Sequence, residues 1–195
     1  MRLFSALFLV SATAVLSLPA QAQQIVNIRG VVSGFDGMTI QIKANDGKAL
    51  KVELPEGVAV AATKAFTLAD IKPGMTLGVT TVVRDDKVVA IDVRPIPATV
   101  RPGLSPYDLQ PKSTMTNAVL EASAKSANGE ELTLDYKSGT VKVLVPPGTP
   151  MSQAIPGMRE DIKAGETIYV VARDDGGKLT AVRVQVSKDG VKPTQ

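Results

Sequence analysis

The chain repeats itself at a fixed distance, and this repeat restricts its fold more than any motif does. Pro55-Glu56-Gly57 corresponds to Pro146-Pro147-Gly148, and Asp70-Ile71-Lys72-Pro73-Gly74 to Asp161-Ile162-Lys163-Ala164-Gly165. Ala90-Ile91-Asp92-Val93 corresponds to Ala181-Val182-Arg183-Val184. All three pairs stand 91 positions apart, with no gap between the first and the last. Upstream the match continues with a one-residue slip, Asp36-Gly37 against Asn128-Gly129 and Thr39-Ile40-Gln41-Ile42 against Glu131-Leu132-Thr133-Leu134. One register held over nearly forty positions marks a duplication. Self-similarity of this kind is a structural signal before it is a functional one.

Each copy reads as β-structure. In copy one, Ile25 to Ser33 is a first strand ending at Gly34-Phe35-Asp36-Gly37. Ile40 and Ile42 alternate with Gln41 and Lys43, the period of a half-buried strand. Asp46-Gly47 signals a hairpin, and Leu50, Val52 and Leu54 carry the returning strand. Val58 to Ala65 is looser, Thr67 to Ile71 is at most one helical turn, and Lys72-Pro73-Gly74 ends it. Leu77 to Val83 and Val89 to Val93 form strands four and five around Arg84-Asp85-Asp86-Lys87. Copy two follows the same order, with strands near Asn117–Ser123, Leu132–Tyr136, Val141–Val145, Ile168–Ala172 and Val182–Val186.

This order predicts an all-β chain, a tandem duplication of a small five-stranded OB-like Greek-key barrel. The expected organisation is a signal peptide over 1–22, a first barrel repeat over 23–95 and a Pro-rich linker over 96–115. A second barrel repeat over 116–188 and a C-terminal tail over 189–195 complete it. Copies of about 70 residues have barely enough core to stand alone, so the barrels should pack on each other or on the linker. That linker holds Pro97, Pro102, Pro106 and Pro111, the composition of a stiff spacer. It also holds Arg101, Leu104, Tyr107, Asp108 and Leu109, which suits docking against a barrel.

Residues Met1–Ala22 carry the marks of a cleavable export signal: Arg2, an apolar run from Leu3 to Leu18, Pro19, and the small-x-small Ala20-Gln21-Ala22. Cleavage after Ala22 removes 22 of the 195 residues, leaving 173 and a formal charge of +2 rather than +3. No later segment has the length and apolarity of a membrane span, so a periplasmic or secreted product is expected.

From Arg101-Pro102 through Pro106-Tyr107-Asp108-Leu109-Gln110-Pro111-Lys112-Ser113-Thr114-Met115-Thr116-Asn117-Ala118, the sequence resembles the central signature of a family of bacterial secreted proteins. Val145-Pro146-Pro147-Gly148-Thr149-Pro150 and the Asp161–Gly165 region fit it as well. The resemblance implies a signal peptide and two related OB-like β-domains, and it implies no particular activity. Automated naming often calls such proteins metal ABC transporter permeases, but a permease needs several spanning helices and the chain offers none after Ala22.

Composition then removes most chemistry. The chain has no Cys and no His, which excludes thiol nucleophiles, zinc-thiolate sites and every arrangement built on an imidazole base. Asp85-Asp86 and Asp174-Asp175 supply too few oxygens for a hard cation and read as solvated turn residues. Met115, Met151 and Met158 could bind a soft metal, but scattered methionines more often fill gaps in packing. Nucleic acid is disfavoured by the few aromatic residues and the small net charge. Ser113-Thr114 and Ser187-Lys188 carry no local signature of acyl transfer.

The expectation is therefore an exported, non-catalytic binding or scaffold protein with no cofactor, no metal site and no catalytic residue. Its partner would be a protein or small molecule of the cell envelope, and its candidate ligand-binding residues are Tyr107 and Asp108, in a groove between the barrels. The alternative is a periplasmic accessory protein for metal handling.

Overall fold

The computed structural model describes residues 24–194; the leader expected over 1–22 lies outside them. The first five strands are β1 (Gln24–Phe35), β2 (Thr39–Ala44), β3 (Ala49–Glu53), β4 (Val60–Ala65) and β5 (Thr76–Arg84). Next come β6 (Lys87–Pro95), β7 (Gly103–Pro106), β8 (Thr114–Ser126) and β9 (Gly129–Asp135). The last four are β10 (Thr140–Val145), β11 (Ser152–Pro156), β12 (Thr167–Asp175) and β13 (Lys178–Val186). Two 3-10 turns, Leu68–Asp70 and Arg159–Asp161, are the helical elements among the described residues.

These strands close into two five-stranded barrels, as the duplication predicts. Each has the OB order, in which strand one lies between strands two and four, and strand five runs parallel to strand three. The expected division into barrels at 23–95 and 116–188 needs correction, because the copies exchange strands. One barrel joins β1, β2 and β3 of copy one to β12 and β13 of copy two. The other joins β5 and β6 of copy one to β8, β9 and β10 of copy two. The first is a terminal barrel built from both ends of the chain. The second is a central barrel built from one continuous stretch inserted between them.

The cause of the exchange lies in the stretch that reads as loose, Val58 to Ala65. It contains β4, which runs parallel to β13 (Val60↔Val184 to Ala62↔Val186) and antiparallel to β11 of copy two. Thr63 faces Ala154 at the centre of the β4–β11 pair. These two residues are 91 apart, so they are the same position of the two copies. Ala65↔Ser152 and Ala61↔Pro156 then interchange when the copies are interchanged. The ribbon thus lies on a local two-fold axis, and each copy passes along it from one barrel into the other. Buried Thr63 fixes the crossing, its Oγ1 donating to the Val186 carbonyl at 2.6 Å and accepting from Gln185 Nε2 at 3.1 Å.

The sequence repeats find their reasons in the barrels. Asp70 and Asp161 each accept a backbone N–H from the residue before the 3-10 turn, Thr67 and Met158, both at 2.9 Å. Ile71 and Ile162 follow and pack against the central and terminal cores respectively. Alternation sorts the rest: Ile40, Ile42 and Val52 fill the terminal core, Leu132, Leu134, Val143 and Val145 the central one. Gly30 marks where β1 passes from β12 to β2; a Cβ there would lie 2.3 Å from the Lys43 carbonyl oxygen.

The acidic pairs also have a structural explanation. Asp85 and Asp86 are the two central residues of the β5–β6 hairpin, at φ 49° and 58°. Such turns require left-handed backbone, which Asp tolerates. The equivalent positions in β12–β13 are Gly176 and Gly177, so Asp174-Asp175 is not the counterpart that adjacency suggests.

Strand exchange has a direct test. The central core is supplied by residues from Phe66 to Met151, so the 66–151 fragment should fold alone with a cooperative melt. The 24–97 fragment, one complete copy, should not give a folded monomer. A compact, monomeric 24–97 fragment by size-exclusion light scattering would show that each copy closes its own barrel.

Candidate functional site

The linker docks. Strand β7 pairs with β8, from Gly103↔Asn117 to Pro106↔Thr114. Immediately after it the chain turns tightly over Tyr107–Ser113. Buried Ser113 holds this turn, with its Oγ 2.9 Å from the Tyr107 carbonyl and 2.8 Å from that of Gln110. Tyr107 and Asp108, the two residues singled out in the sequence, are thereby turned toward the terminal barrel.

Asp108 binds two residues on alternate positions of β1. Arg29 Nη2 donates to its Oδ1 at 2.8 Å and Asn27 Nδ2 to its Oδ2 at 3.0 Å. Asn27 Oδ1 accepts the Tyr169 hydroxyl at 2.9 Å, and the Tyr107 and Tyr169 hydroxyls lie 3.4 Å apart. Partial burial opposes the Asp108 charge, but Arg29 and Asn27 outweigh it and hold the carboxyl below its ordinary range. Burial, reinforced by the neighbouring Tyr107, pushes Tyr169 far up and keeps it a neutral phenol.

The two rings carry three guanidinium groups. Arg94 lies 6.0 Å from the Tyr107 centroid, Arg29 5.6 Å from Tyr107 and 5.3 Å from Tyr169, and Arg183 5.4 Å from Tyr169. The result is an unbroken series, Arg94–Tyr107–Arg29–Tyr169–Arg183, which joins the central barrel to the terminal one through the linker. Cation–π contacts of this kind gain strength when desolvated, and the Arg29 and Arg94 side chains are only 16% and 11% exposed.

Behind Arg94 stands Asp92, fully buried. Arg94 Nη1 is paired with Asp92 Oδ2, which also accepts Thr80 Oγ1 at 3.1 Å. Burial pushes the Asp92 carboxyl up, and Arg94, Thr194 and Thr80 pull it back. The second Arg94 nitrogen, Nη2, points at the Met115 sulfur at 3.4 Å, a weak acceptor.

Along this series runs a groove of about 410 Å³ whose lining includes Tyr107, Tyr169, Arg94 and Arg183. Linker residues Ile96, Pro97 and Val100 and terminal-barrel residues Val171 and Val182 give it apolar walls. A second cavity, of about 470 Å³, lies on β9 and β10 between the Asp86–Val88 and Ser126–Asn128 hairpins. This corresponds to the face that OB barrels commonly use. Its lining has no aromatic side chain, and two of its charges, Lys142 and Glu131, are paired at 3.2 Å on the surface.

The other sequence candidates do not converge. Met115 is buried beside Arg94, Met151 packs on the central core, and Met158 is exposed before its 3-10 turn. Among the described residues no three acidic side chains are grouped to hold a metal ion. Sequence reasoning missed Arg29, Arg94, Tyr169 and Arg183. Their available signal was a long polar or aromatic residue next to apolar strand positions.

Comparison with protein-family models, curated proteins and solved structures gives no match.

Two outcomes follow from the charges. Arg94→Ala leaves Asp92 buried without its cation, which should cost about 3–5 kcal/mol in chemical denaturation. The Asp92→Leu/Arg94→Met pair should recover most of that loss. Asp108 is depressed in the folded state, so its contribution to linker docking is fully present above the ordinary carboxyl pKa of about 3.9. That contribution is lost only as pH falls through the lower folded value. Tyrosine fluorescence should stay constant from about pH 7 to 5 and change below about pH 4. Asp108→Asn should abolish this transition.

Proposed function

We propose that the protein is an exported, non-catalytic binding module whose ligand site is the groove between the two barrels. The observation that carries this reading is the construction of the groove. Three separate parts of the chain, the two barrels and the linker turn, each contribute a ring or a guanidinium to one concave surface. Small-molecule sites form preferentially at such junctions, with mostly apolar walls and a few fixed polar groups.

The non-catalytic reading rests on what the polar groups already do. Asp108 and Asp92 are committed to Arg29 and Arg94, and the Tyr169 hydroxyl is bound to Asn27. The chain has no imidazole or thiol to act as base or nucleophile. Export is supported by the Met1–Ala22 pattern.

Protein-observed NMR with a mixed library of acidic, basic and neutral small molecules tests the reading. Binders should perturb Tyr107, Tyr169 and their strand neighbours, be recovered chemically unchanged, and bind about tenfold more weakly to Tyr107→Ala than to Tyr107→Phe. Binders that map only to the β9–β10 face, or a library with no binder at the groove, would remove the groove as the ligand site. Turnover of a library member would remove the non-catalytic reading.

A further inference from the structure

We propose that Met115 is an oxidation site: its thioether takes one oxygen atom from a peroxide that enters the interbarrel groove, and the guanidinium of Arg94 holds the resulting sulfoxide oxygen. This does not depend on which ligand the groove takes. The chain has no cysteine, so its sulfur chemistry belongs to its methionines.

The surroundings of the sulfur are the first argument. Met115 is 6% exposed and sits on β8, where it pairs with Thr80 of β5 and with Ser105 of β7. A core methionine ordinarily fills an apolar gap. The Met115 sulfur instead receives Arg94 Nη2 at 3.4 Å and has Thr80 Oγ1 at 3.9 Å. The Thr80 hydroxyl has one proton to give, and Asp92 Oδ2, at 3.1 Å, is the nearer acceptor. Arg94 is then the donor that the sulfur keeps, and a second lone pair stays free for a reagent.

The second argument is the unequal use of Arg94. Nη1 is paired with Asp92, but Nη2 has only a thioether to donate to, on a side chain that is 11% exposed. Sulfur is a weak acceptor, and a charged N–H buried without a good one is costly. A sulfoxide oxygen would supply the missing acceptor, in a charge-assisted bond about twice as strong as a neutral one. Sulfoxide formation disrupts an ordinary core because it places a polar group among apolar ones. At Met115 the donor for that group is already in position. The other methionines are placed differently. Met38 and Met158 are 76% and 63% exposed, the Met75 sulfur receives the Lys72 backbone N–H at 3.2 Å, and Met151 packs on the central core.

Met115 and Arg94 both line the groove of about 410 Å³, which gives a small peroxide a way in. In the step, the free sulfur lone pair attacks one peroxide oxygen. The S–O bond forms as the O–O bond breaks, and the departing oxygen takes the proton of the transferred one and leaves as water. Sulfur loses two electrons and the peroxide gains them. Rotation about the Cγ–Sδ bond then turns the new oxygen toward Arg94 Nη2. Because Arg94 covers one lone pair, the oxygen adds through the other, and one sulfoxide epimer forms.

The test treats the full chain with hydrogen peroxide and follows each methionine by peptide mass spectrometry. Met38 and Met158 should oxidise first. Met115 should follow in the folded protein, ahead of the less buried Met75 and Met151. The two classes of methionine sulfoxide reductase each repair one epimer. Applied to the digested peptides, one class should repair Met115 completely and the other leave it, whereas each should repair part of Met38 and Met158. In a Met38→Leu/Met158→Leu background, oxidation at Met115 should leave the melting temperature within about 1 °C. Arg94→Lys keeps a cation for Asp92 without the guanidinium fork, and the same oxidation should then lower the melting temperature by about 5 °C. The epimer readout needs no change at Arg94, so it stands even if Arg94→Lys fails to fold. Met115 that stays reduced until the chain unfolds, or that gives both epimers equally, overturns the proposal. An equal fall in melting temperature with Arg94 and with Arg94→Lys overturns the holding of the oxygen by Arg94.

Discussion

Barrel closure across the copy boundary is the constraint from which the remaining architecture follows. Each barrel is shut by a short parallel seam between strand three of one copy and strand five of the other. That seam is two residue pairs long in the terminal barrel (Leu179↔Val52, Thr180↔Glu53) and one in the central barrel (Leu144↔Val89). Ladders this brief add little by themselves, since a net backbone hydrogen bond contributes only about 0.5–1.5 kcal/mol. The apolar interiors behind them hold the closure, and both interiors mix residues from the two copies. Neither half can bury its own strands without the other, so the two barrels are coupled by chain topology as well as by surface contact.

Topology also explains why the linker is ordered despite its prolines. After β6 the chain must return along the central barrel to begin β8, which pairs with β5 next door. The connection therefore runs close to the sheet, and Gly103–Pro106 can add a strand to the exposed edge of β8. Once it is there, the turn closed by Ser113 places Tyr107 and Asp108 within reach of β1 and β12. The polar groups at this contact are shared between partners, with Asn27 both donating to Asp108 and accepting from Tyr169. Such pairs add specificity of docking more than raw stability, because desolvation offsets much of the attraction between charges.

Much of this was legible in the sequence, for identifiable reasons. Alternation in Thr39–Ala44 and Glu131–Leu134 states which side chains face a core, and the 91-residue register states that there are two cores. Neither says which copy a strand will join. Strands four and five of the copies are so alike in pattern that pairing within a copy and pairing between copies satisfy the same alternation. The discriminating segment is β4, and its Ala-Ala-Thr-Lys-Ala run lacks the bulky branched residues that announce a strand. Its partners lie 87 or more positions away, at Ser152–Pro156 and Val184–Val186. The site shows a similar split. Tyr107 and Asp108 stand out because a spacer has no need of them, whereas Arg29 and Tyr169 look like ordinary outward positions until the linker covers them.

The local two-fold axis gives the charges their meaning. In a symmetric pair of copies, the faces turned toward each other would carry the same residues at equivalent positions, and like charges would meet across the axis. The copies have diverged at these positions. Tyr169 stands where copy one has Gly78, Arg183 where it has Asp92, and Gln185 where it has Arg94. Gly78 leaves little room for a side chain, since a Cβ there would lie 3.2 Å from Ile96 and 3.5 Å from Arg94. A second tyrosine at that position would fill the space the linker and Arg94 now occupy. Divergence has therefore made one side of the axis the donor of the ring and the other the donor of a charge-paired guanidinium. The groove therefore has unlike sides, with Tyr169 and Arg183 on one side of the axis and Arg94 on the other, where a strict duplicate would have built two half-sites facing each other.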